Sequence, residues 1–279
     1  MFLDILLDAL IDTLKLIPFL FLAFLIIELF EHKFKNKEIL KKSGKFGPII
    51  GSLLGAVPQC GFASLATNLY VTRIISLGTL ISIYLATSDE MLPIMISEQV
   101  ELSFILKILL VKVLIGMVCG IVIDLIYRKK YDETFDLCES ENCHCHEKNH
   151  SLIISSLKHT LNITIYVLII NILLNAVFEL GLEDLLKKLL LQNSIFGSFI
   201  TSLIGLIPNC GASVIITELY LNNALSLGSL LAGLLTNSGI ALVILFKSNK
   251  NIKENLTIIS LIYLIGSIIG LIISLIWFL

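Results

Sequence analysis

Two stretches of this chain, GAVPQCG at 55–61 and GLIPNCG at 205–211, set a proline, an amide and a thiol inside otherwise apolar runs. Pro58, Gln59, Cys60 and Gly61 answer to Pro208, Asn209, Cys210 and Gly211. Proline removes a backbone donor and interrupts a helix, and backbone freed at membrane depth is tolerated only where protein or water satisfies it. The chemistry on offer is soft sulfur beside exposed carbonyl and amide oxygen. A single copy would read equally well as a proline kink with a packed cysteine; two copies at matching points favour a binding role.

A second polar break follows each motif. Thr87, Ser88, Asp89 and Glu90 precede Pro93, and Thr236, Asn237 and Ser238 precede Gly239. Both read as interrupted spans with hydroxyl, amide and carbonyl oxygens available as ligands. The halves differ in charge: Asp89 and Glu90 face Gly239 and Ile240 at the equivalent positions, and Glu218 faces Asn68. An ionisable group within a membrane is costly and is by default a functional candidate. The plainer alternatives are a break lying at the outer interface and a Glu218 that snorkels from a helix end.

Residues 138–150 offer another donor set: three thiols, Cys138, Cys143 and Cys145, and three imidazoles, His144, His146 and His150. Thiolate with imidazole suits zinc and its softer neighbours. Cys143 to His146 are contiguous, so they cannot all close one tetrahedron, and a flexible capture segment fits better than a structural site. A solvated linker that binds metal incidentally is the plainer alternative.

The elements that must position these groups follow from composition. The 279 residues are 56% hydrophobic and 15% charged, whereas soluble domains carry about 25% charged residues. Long apolar stretches at 14–30, 75–96, 104–126, 161–182, 225–246 and 256–279 predict an all-α integral membrane protein. A net charge of −2 gives no ground for a nucleic-acid partner. Asp4, Asp8 and Asp12 stand where a signal peptide would be basic, so the first apolar run is expected to remain as a helix.

Sliding the chain by 150 residues without a gap aligns Pro58 with Pro208, Cys60 with Cys210, Leu69-Tyr70 with Leu219-Tyr220, Ser88 with Ser238, and Gly116 and Gly120 with Gly266 and Gly270. Shared hydrophobicity does not produce such coincidences of glycine and polar residues. The expected organisation is a membrane repeat at 1–127, a Cys/His-rich linker at 128–158 and a second repeat at 159–279. Segments 47–57 and 62–70 are each of about half the length needed to span, which suggests a re-entrant hairpin beside three spanning helices per half. Three crossings are an odd number, so the repeats would be inverted. Lys33 to Lys45, Arg73, Arg128 to Lys130 and Lys247 to Lys253 then all face the cytoplasm, with the acidic turn 97–101 outside; only Lys187 and Lys188 dissent. A parallel arrangement with four crossings per half would reverse several of these. The expected topology has the N-terminus outside, the linker in the cytoplasm, where thiols stay reduced, and the plasma membrane as its site. Gly116-x-x-x-Gly120 and its twin read as close helix packing, and Tyr70 and Tyr220 as interface anchors.

Duplicated P-[QN]-C-G hairpins about 150 residues apart, a polar break after each and a His- and Cys-containing central loop make the chain resemble the bacterial ten-helix heavy-metal exporters, labelled arsenic efflux or manganese transporters. The resemblance covers the whole chain, and its motif falls on Pro58, Cys60, Gly61, Pro208, Cys210 and Gly211. It implies efflux of a toxic metal or metalloid. Trivalent arsenic would prefer sulfur, which Cys60 and Cys210 offer if the hairpin tips meet; manganese would prefer the oxygens of Asp89, Glu90, Glu218, Asn209, Thr87 and Thr236. A divalent transition metal could use both sets and is favoured. The chain contains no G-x-x-x-x-G-K-[ST] loop, so secondary transport coupled to protons through Asp89, Glu90 or Glu218 is expected rather than enzymatic turnover. No resident cofactor is expected beyond zinc or a similar metal on the linker; the bilayer, the cargo and protons are the partners, and the sequence leaves the oligomeric state open. The competing classes are an organic-solute permease and a membrane thiol-redox enzyme cycling Cys60 and Cys210; no C-x-x-C supports the latter.

Overall fold

The computed structural model describes residues 46–57, 60–88, 91–127, 152–177 and 197–278, with isolated residues between 10 and 25. Every element in it is a helix. The first half supplies α1 (Gly47–Gly55), α2 (Cys60–Val71), α3 (Leu77–Ala86), α4 (Met91–Ser97) and α5 (Leu102–Ile126). Then come α6 (Leu152–Val177), α7 (Gly197–Gly205), α8 (Cys210–Leu221), α9 (Leu227–Thr236), α10 (Ala241–Ser248) and α11 (Ile252–Phe278). Helices α1 to α5 recur as α7 to α11 at the offset of 150 residues seen in the sequence, with bounds matching to within two residues. Helix α6 begins at Leu152, inside the stretch assigned above to the linker.

Local chemistry explains why the same bounds appear twice. Ser76 and Ser226 are N-caps whose hydroxyls accept from the backbone N–H of Thr79 and Ser229, satisfying one of the orphaned donors of α3 and α9. At the ends of α2 and α8, Arg73 and Asn223 adopt φ of 62° and 57°. The N–H of Ile74 reaches Leu69 O and that of Ala224 reaches Leu219 O, both at 2.8 Å, which is the hydrogen-bonded termination that a left-handed residue after the cap produces. With nine and 12 residues, α1 and α2 are about 14 and 18 Å long. Neither alone crosses a hydrocarbon core of about 30 Å.

Among the described residues four segments are long and apolar enough to cross a membrane: Leu77–Ser97, Leu102–Ile126, Leu227–Ser248 and Ile252–Ile276. The first and third are the interrupted pairs α3/α4 and α9/α10. They form the centre: the windows that define them are 75% and 94% buried, against 28% for α5 and α11. The outer helices expose aliphatic stripes, Leu106, Leu110, Leu114, Val118 and Val122 on α5 and Leu264, Ile268 and Ile272 on α11. A surface of that kind is stable against lipid and a liability in water. The inner face of α5 carries Ile105, Ile108, Lys112, Gly116, Gly120 and Ile123.

The paired glycines behave as the sequence suggests. A Cβ on Gly120 would come within 2.6 Å of Gly78 O, and one on Gly270 within the same distance of Gly228 O. The helices therefore touch backbone to backbone, as small residues allow.

The halves also interlock reciprocally, α2 packing on α10 and α8 on α4. Exchange of equivalent surfaces is what a two-fold relation produces. Between the halves Arg73 grips Glu254 with two hydrogen bonds, 2.6 and 2.9 Å, and Tyr70 donates to the same carboxylate. The bond to Glu254 holds the Arg73 guanidinium above its ordinary value. Phe104 of the first half stacks on Tyr220 of the second, ring centroids 6.0 Å apart. Tyr70 is thus no lipid-interface anchor: it is 4% exposed because its hydroxyl has a carboxylate to reach. The Arg73–Glu254 clamp joins the halves but is partly solvated, so a double-mutant cycle of Arg73→Ala and Glu254→Ala is expected to give a coupling of about 1 kcal/mol. Molar salt should reduce that coupling; a coupling indistinguishable from zero would make the clamp ornamental.

Candidate functional site

The site is built where the two interrupted helices end. Helix α3 stops at Ala86, with Thr87 as its cap, and α4 resumes at Met91. Helix α9 stops at Thr236 and α10 resumes at Ala241. Hydroxyl side chains finish both ends on their own backbone. Thr87 Oγ1 donates to Ile83 O at 2.8 Å and Ser88 Oγ to Ala86 O at 3.0 Å. Thr236 Oγ1 lies 3.2 Å from Ala232 O and 3.0 Å from Gly233 O. Asn237 Oδ1 accepts from Gly239 N at 3.1 Å, closing a small turn, and Gly239 has φ 52°, a conformation that glycine adopts freely. All of Thr87, Ser88, Thr236, Asn237 and Ser238 are buried.

With their protons committed to backbone oxygens, the hydroxyls present lone pairs, and the helix ends present carbonyls that no further turn satisfies. The Asn237 N–H donates to Gly233 O, so the regular ladder of α9 closes one residue before Leu234 O. That oxygen is taken by Lys112 Nζ at 2.9 Å, and the same ammonium donates to Thr87 O. A lysine from α5 therefore joins the broken end of one half to the broken end of the other. It is 0% exposed.

Lys112 was not singled out in the sequence, where it passes as one of three charges, with Lys107 and Asp124, in an apolar stretch of 25 residues. A signal was available: Lys112, Gly116 and Gly120 recur every fourth residue, one face of a helix, and the glycines mark that face as packed. In α11 the equivalent position is Ile262, also 0% exposed, so the cation belongs to one half only.

Five buried residues carry polar side-chain atoms without a hydrogen-bond partner among the described residues: Thr164, Ser248 and Ser267, and, nearer the breaks, Ser238 through its Oγ and Asn68 on α2 through both amide atoms. Orphaned groups in a native interior call for a ligand or an ordered water. Next to Asn68, Thr67 Oγ1 lies 2.5 Å from Tyr84 Oη and 3.5 Å from Ala241 O, tying α2 to α3 and α10.

The motif residues divide. Pro58 and Gln59 lie outside the described residues, as do Asp89 and Glu90 and the linker donors Cys138, Cys143, His144, Cys145, His146 and His150. Cys60 and Cys210 are the first residues of α2 and α8; their side chains and that of the linker's neighbour His159 are likewise outside the description. Gly61 is buried within the first turn of α2. In the second motif the Asn209 N–H donates to Ile207 O at 2.7 Å, bending the chain tightly around Pro208. Asn209 Oδ1 accepts from Gly211 N at 2.6 Å and caps α8. Pro208 also borders an apolar cleft of about 230 Å³ lined by Tyr166, Leu242, Phe246 and Ile259; its lining offers nothing to hold an ion. Glu218 is exposed near the end of α8. Among the described residues no three His, Cys, Asp or Glu side chains gather into a ready-made metal cluster.

A family model described as "Putative, 10TM heavy-metal exporter" matches residues 1–186 and, in a second segment, 151–277. No curated protein and no solved structure matches the chain.

Proposed function

We propose, since this chain belongs to the ten-helix heavy-metal exporter family, that it is a proton-coupled secondary transporter carrying a divalent transition-metal ion out of the cell. The observation that carries this reading is the meeting of two interrupted helices, one per half, whose carbonyl ends converge on a single buried cation. Discontinuous helices at the interface of repeats are where secondary transporters hold ions. Thr87, Ser88, Thr236, Asn237 and Ser238 supply neutral oxygen. Asp89 and Glu90 supply the charge that neutralises a divalent ion and exchange protons for it, because a carboxylate must be deprotonated to coordinate. Cys60 and Cys210, at the tips between α1 and α2 and between α7 and α8, add sulfur for a borderline metal. The linker gathers metal on the cytoplasmic side.

Two contacts support inverted repeats with re-entrant α1–α2 and α7–α8 hairpins. If each half crossed the membrane an even number of times, Arg73 and Glu254 would lie at opposite faces, and so would Phe104 and Tyr220. Each pair is in contact, as it is when each half crosses three times. The charge pattern then sets the N-terminus outside and the linker in the cytoplasm of a plasma-membrane protein.

The test is uptake into proteoliposomes of manganese, zinc, cobalt, cadmium and arsenite under an imposed pH gradient. A divalent ion should move and should collapse the gradient. Transport of none of them sinks the reading, and arsenite transport alone would redirect it to a metalloid. Cys60→Ala combined with Cys210→Ala is expected to lower cadmium or zinc flux at least about tenfold, the usual consequence of losing first ligands, while manganese flux falls less. Undiminished flux of every ion would make the motif a hinge.

A further inference from the structure

Asn68, on α2, is a buried polar side chain to which nothing so far gives a task. It is 0% exposed, and neither amide atom has a hydrogen-bond partner among the described residues. A buried amide in that condition has given up its bonds to water with nothing in return, and such a group calls for a ligand or water that comes to it.

The residue before it fixes where it stands. Thr67 Oγ1 donates to Ala63 O at 2.8 Å, so the tyrosine is the donor in its 2.5 Å contact with Tyr84 Oη. The same Thr67 oxygen lies 3.5 Å from Ala241 O, on the first residue of α10. These contacts set the rotation of α2 and hold it where α10 resumes after the second break. Ala241 N in turn donates to Ser238 O at 3.2 Å, and Ser238 Oγ is itself without a partner among the described residues. Two orphaned polar side chains therefore flank one contact between the halves, Asn68 one residue from it on α2 and Ser238 three residues from it in the break. Cys60, Ser64 and Asn68 also recur every fourth residue, which places them on one face of α2, and Ser64 is 0% exposed as well. That face extends about 12 Å from the hairpin tip. Val214 and Glu218 stand at the equivalent positions of α8, and Glu218 is exposed, so the buried amide belongs to the first half only.

We propose that Asn68 contacts the transported ion, its Oδ1 being an oxygen ligand that the hairpin arm α2 supplies to the site at the breaks, and that it biases the site toward manganese. This deepens the exporter reading and rests on it. An amide oxygen is neutral and carries two lone pairs, and carbonyl oxygen suits manganese as thiolate suits softer ions. Asn68 and the thiols of Cys60 and Cys210 then pull selectivity in opposite directions. The Nδ2 protons are left to a water, which a polar site of this kind accommodates. A side chain that served packing alone would lie in the same place, and the experiment must separate the two.

Full-length protein in detergent is titrated with manganese, zinc, cobalt and cadmium chlorides by calorimetry, and is melted without metal. Asn68→Leu keeps the branched shape and removes both polar atoms; Asn68→Ala removes them without overfilling the space. Each should bind manganese about tenfold more weakly, the scale on which metal sites answer to the loss of a supporting group, and cadmium by a smaller factor. At least one of the two should melt, metal-free, no lower than wild type, because an apolar group in place of an unpaired amide forfeits no bond. Ser248→Ala removes an unpartnered hydroxyl at the far end of α10 and should leave every affinity at the wild-type value. Undiminished manganese binding in both Asn68 variants, an equal loss for manganese and cadmium, or the same loss in Ser248→Ala overturns the proposal. A lowered metal-free melting temperature in both Asn68 variants overturns it too, since the amide would then be part of the scaffold. Each of these leaves the exporter standing, as does wild-type protein that binds another of the ions but not manganese, a result that also sinks the proposal. If wild-type protein binds none of the four ions, the exporter reading falls and this inference with it.

Discussion

Replacing Gly78 or Gly228 with valine is expected to abolish the folded protein. A Cβ on Gly78 would lie 2.1 Å from the carbonyl oxygen of Gly120 and 2.6 Å from the Asp124 carboxylate. On Gly228 it would lie 2.1 Å from Ser274 Oγ and 2.3 Å from Gly270 O. The obstacles include backbone, which cannot rotate aside as a flexible side chain can, so α3 must separate from α5, or α9 from α11. Ordinary overpacking costs about 1–3 kcal/mol, and a forced backbone separation along a whole helix pair should exceed that and approach the total stability of a domain. Separation also opens the groove in which Asp124 accepts from Gly78 N at 2.8 Å and from Ser76 Oγ at 2.6 Å. The check is size-exclusion profile and thermal melting in detergent, with Leu114→Ala on the lipid-facing side as a control expected to behave as wild type. A monodisperse Gly78→Val protein with an unchanged melting temperature would mean that α3 and α5 do not meet as described.

Asp89→Asn together with Glu90→Gln is expected to reduce pH-driven metal flux by more than about tenfold, without comparable loss of folded protein. Two neutral amides keep the size and one oxygen of each carboxylate but remove both negative charges, leaving a divalent ion without charge compensation at membrane depth, where uncompensated charge is costly. They also remove groups that must give up protons before they coordinate. Glu218→Gln serves as comparison: its side chain is exposed, and its flux should stay within about twofold of wild type, since surface substitutions away from buried networks change little. Full flux in the Asp89/Glu90 pair would move the charge of the site elsewhere in the molecule.

Much of the scaffold was legible because repetition is a strong signal. Cys60, Ser76, Gly78 and Gly120 each have a counterpart 150 residues on, and each does the same local work twice: a helix start, a cap, a backbone contact. The half-length arms and the interrupted spans were expected from proline and from polar residues set in apolar runs, and the bounds Gly47–Gly55, Cys60–Val71, Leu77–Ala86 and Met91–Ser97 follow those cues. The membrane-crossing character follows from composition alone.

One residue misled. Tyr70 looked like an interface anchor because aromatic residues near span ends commonly are, yet its hydroxyl reaches Glu254, 184 positions away. Asn209, a candidate ligand, also caps α8 through its Oδ1, a use that an asparagine before a helix shares with every N-cap of its kind.

By itself, then, the sequence determined the repeat, the helix ends and which face of α5 turns inward, because these depend on local dihedral preference and on periodicity. Only the tertiary structure decided that the broken ends of α3 and α9 come within reach of one lysine. Which carbonyls a helix end leaves unsatisfied is local, but what fills them is set by the packing of segments 122 residues apart, Lys112 onto Leu234. No spacing rule along the chain encodes that distance.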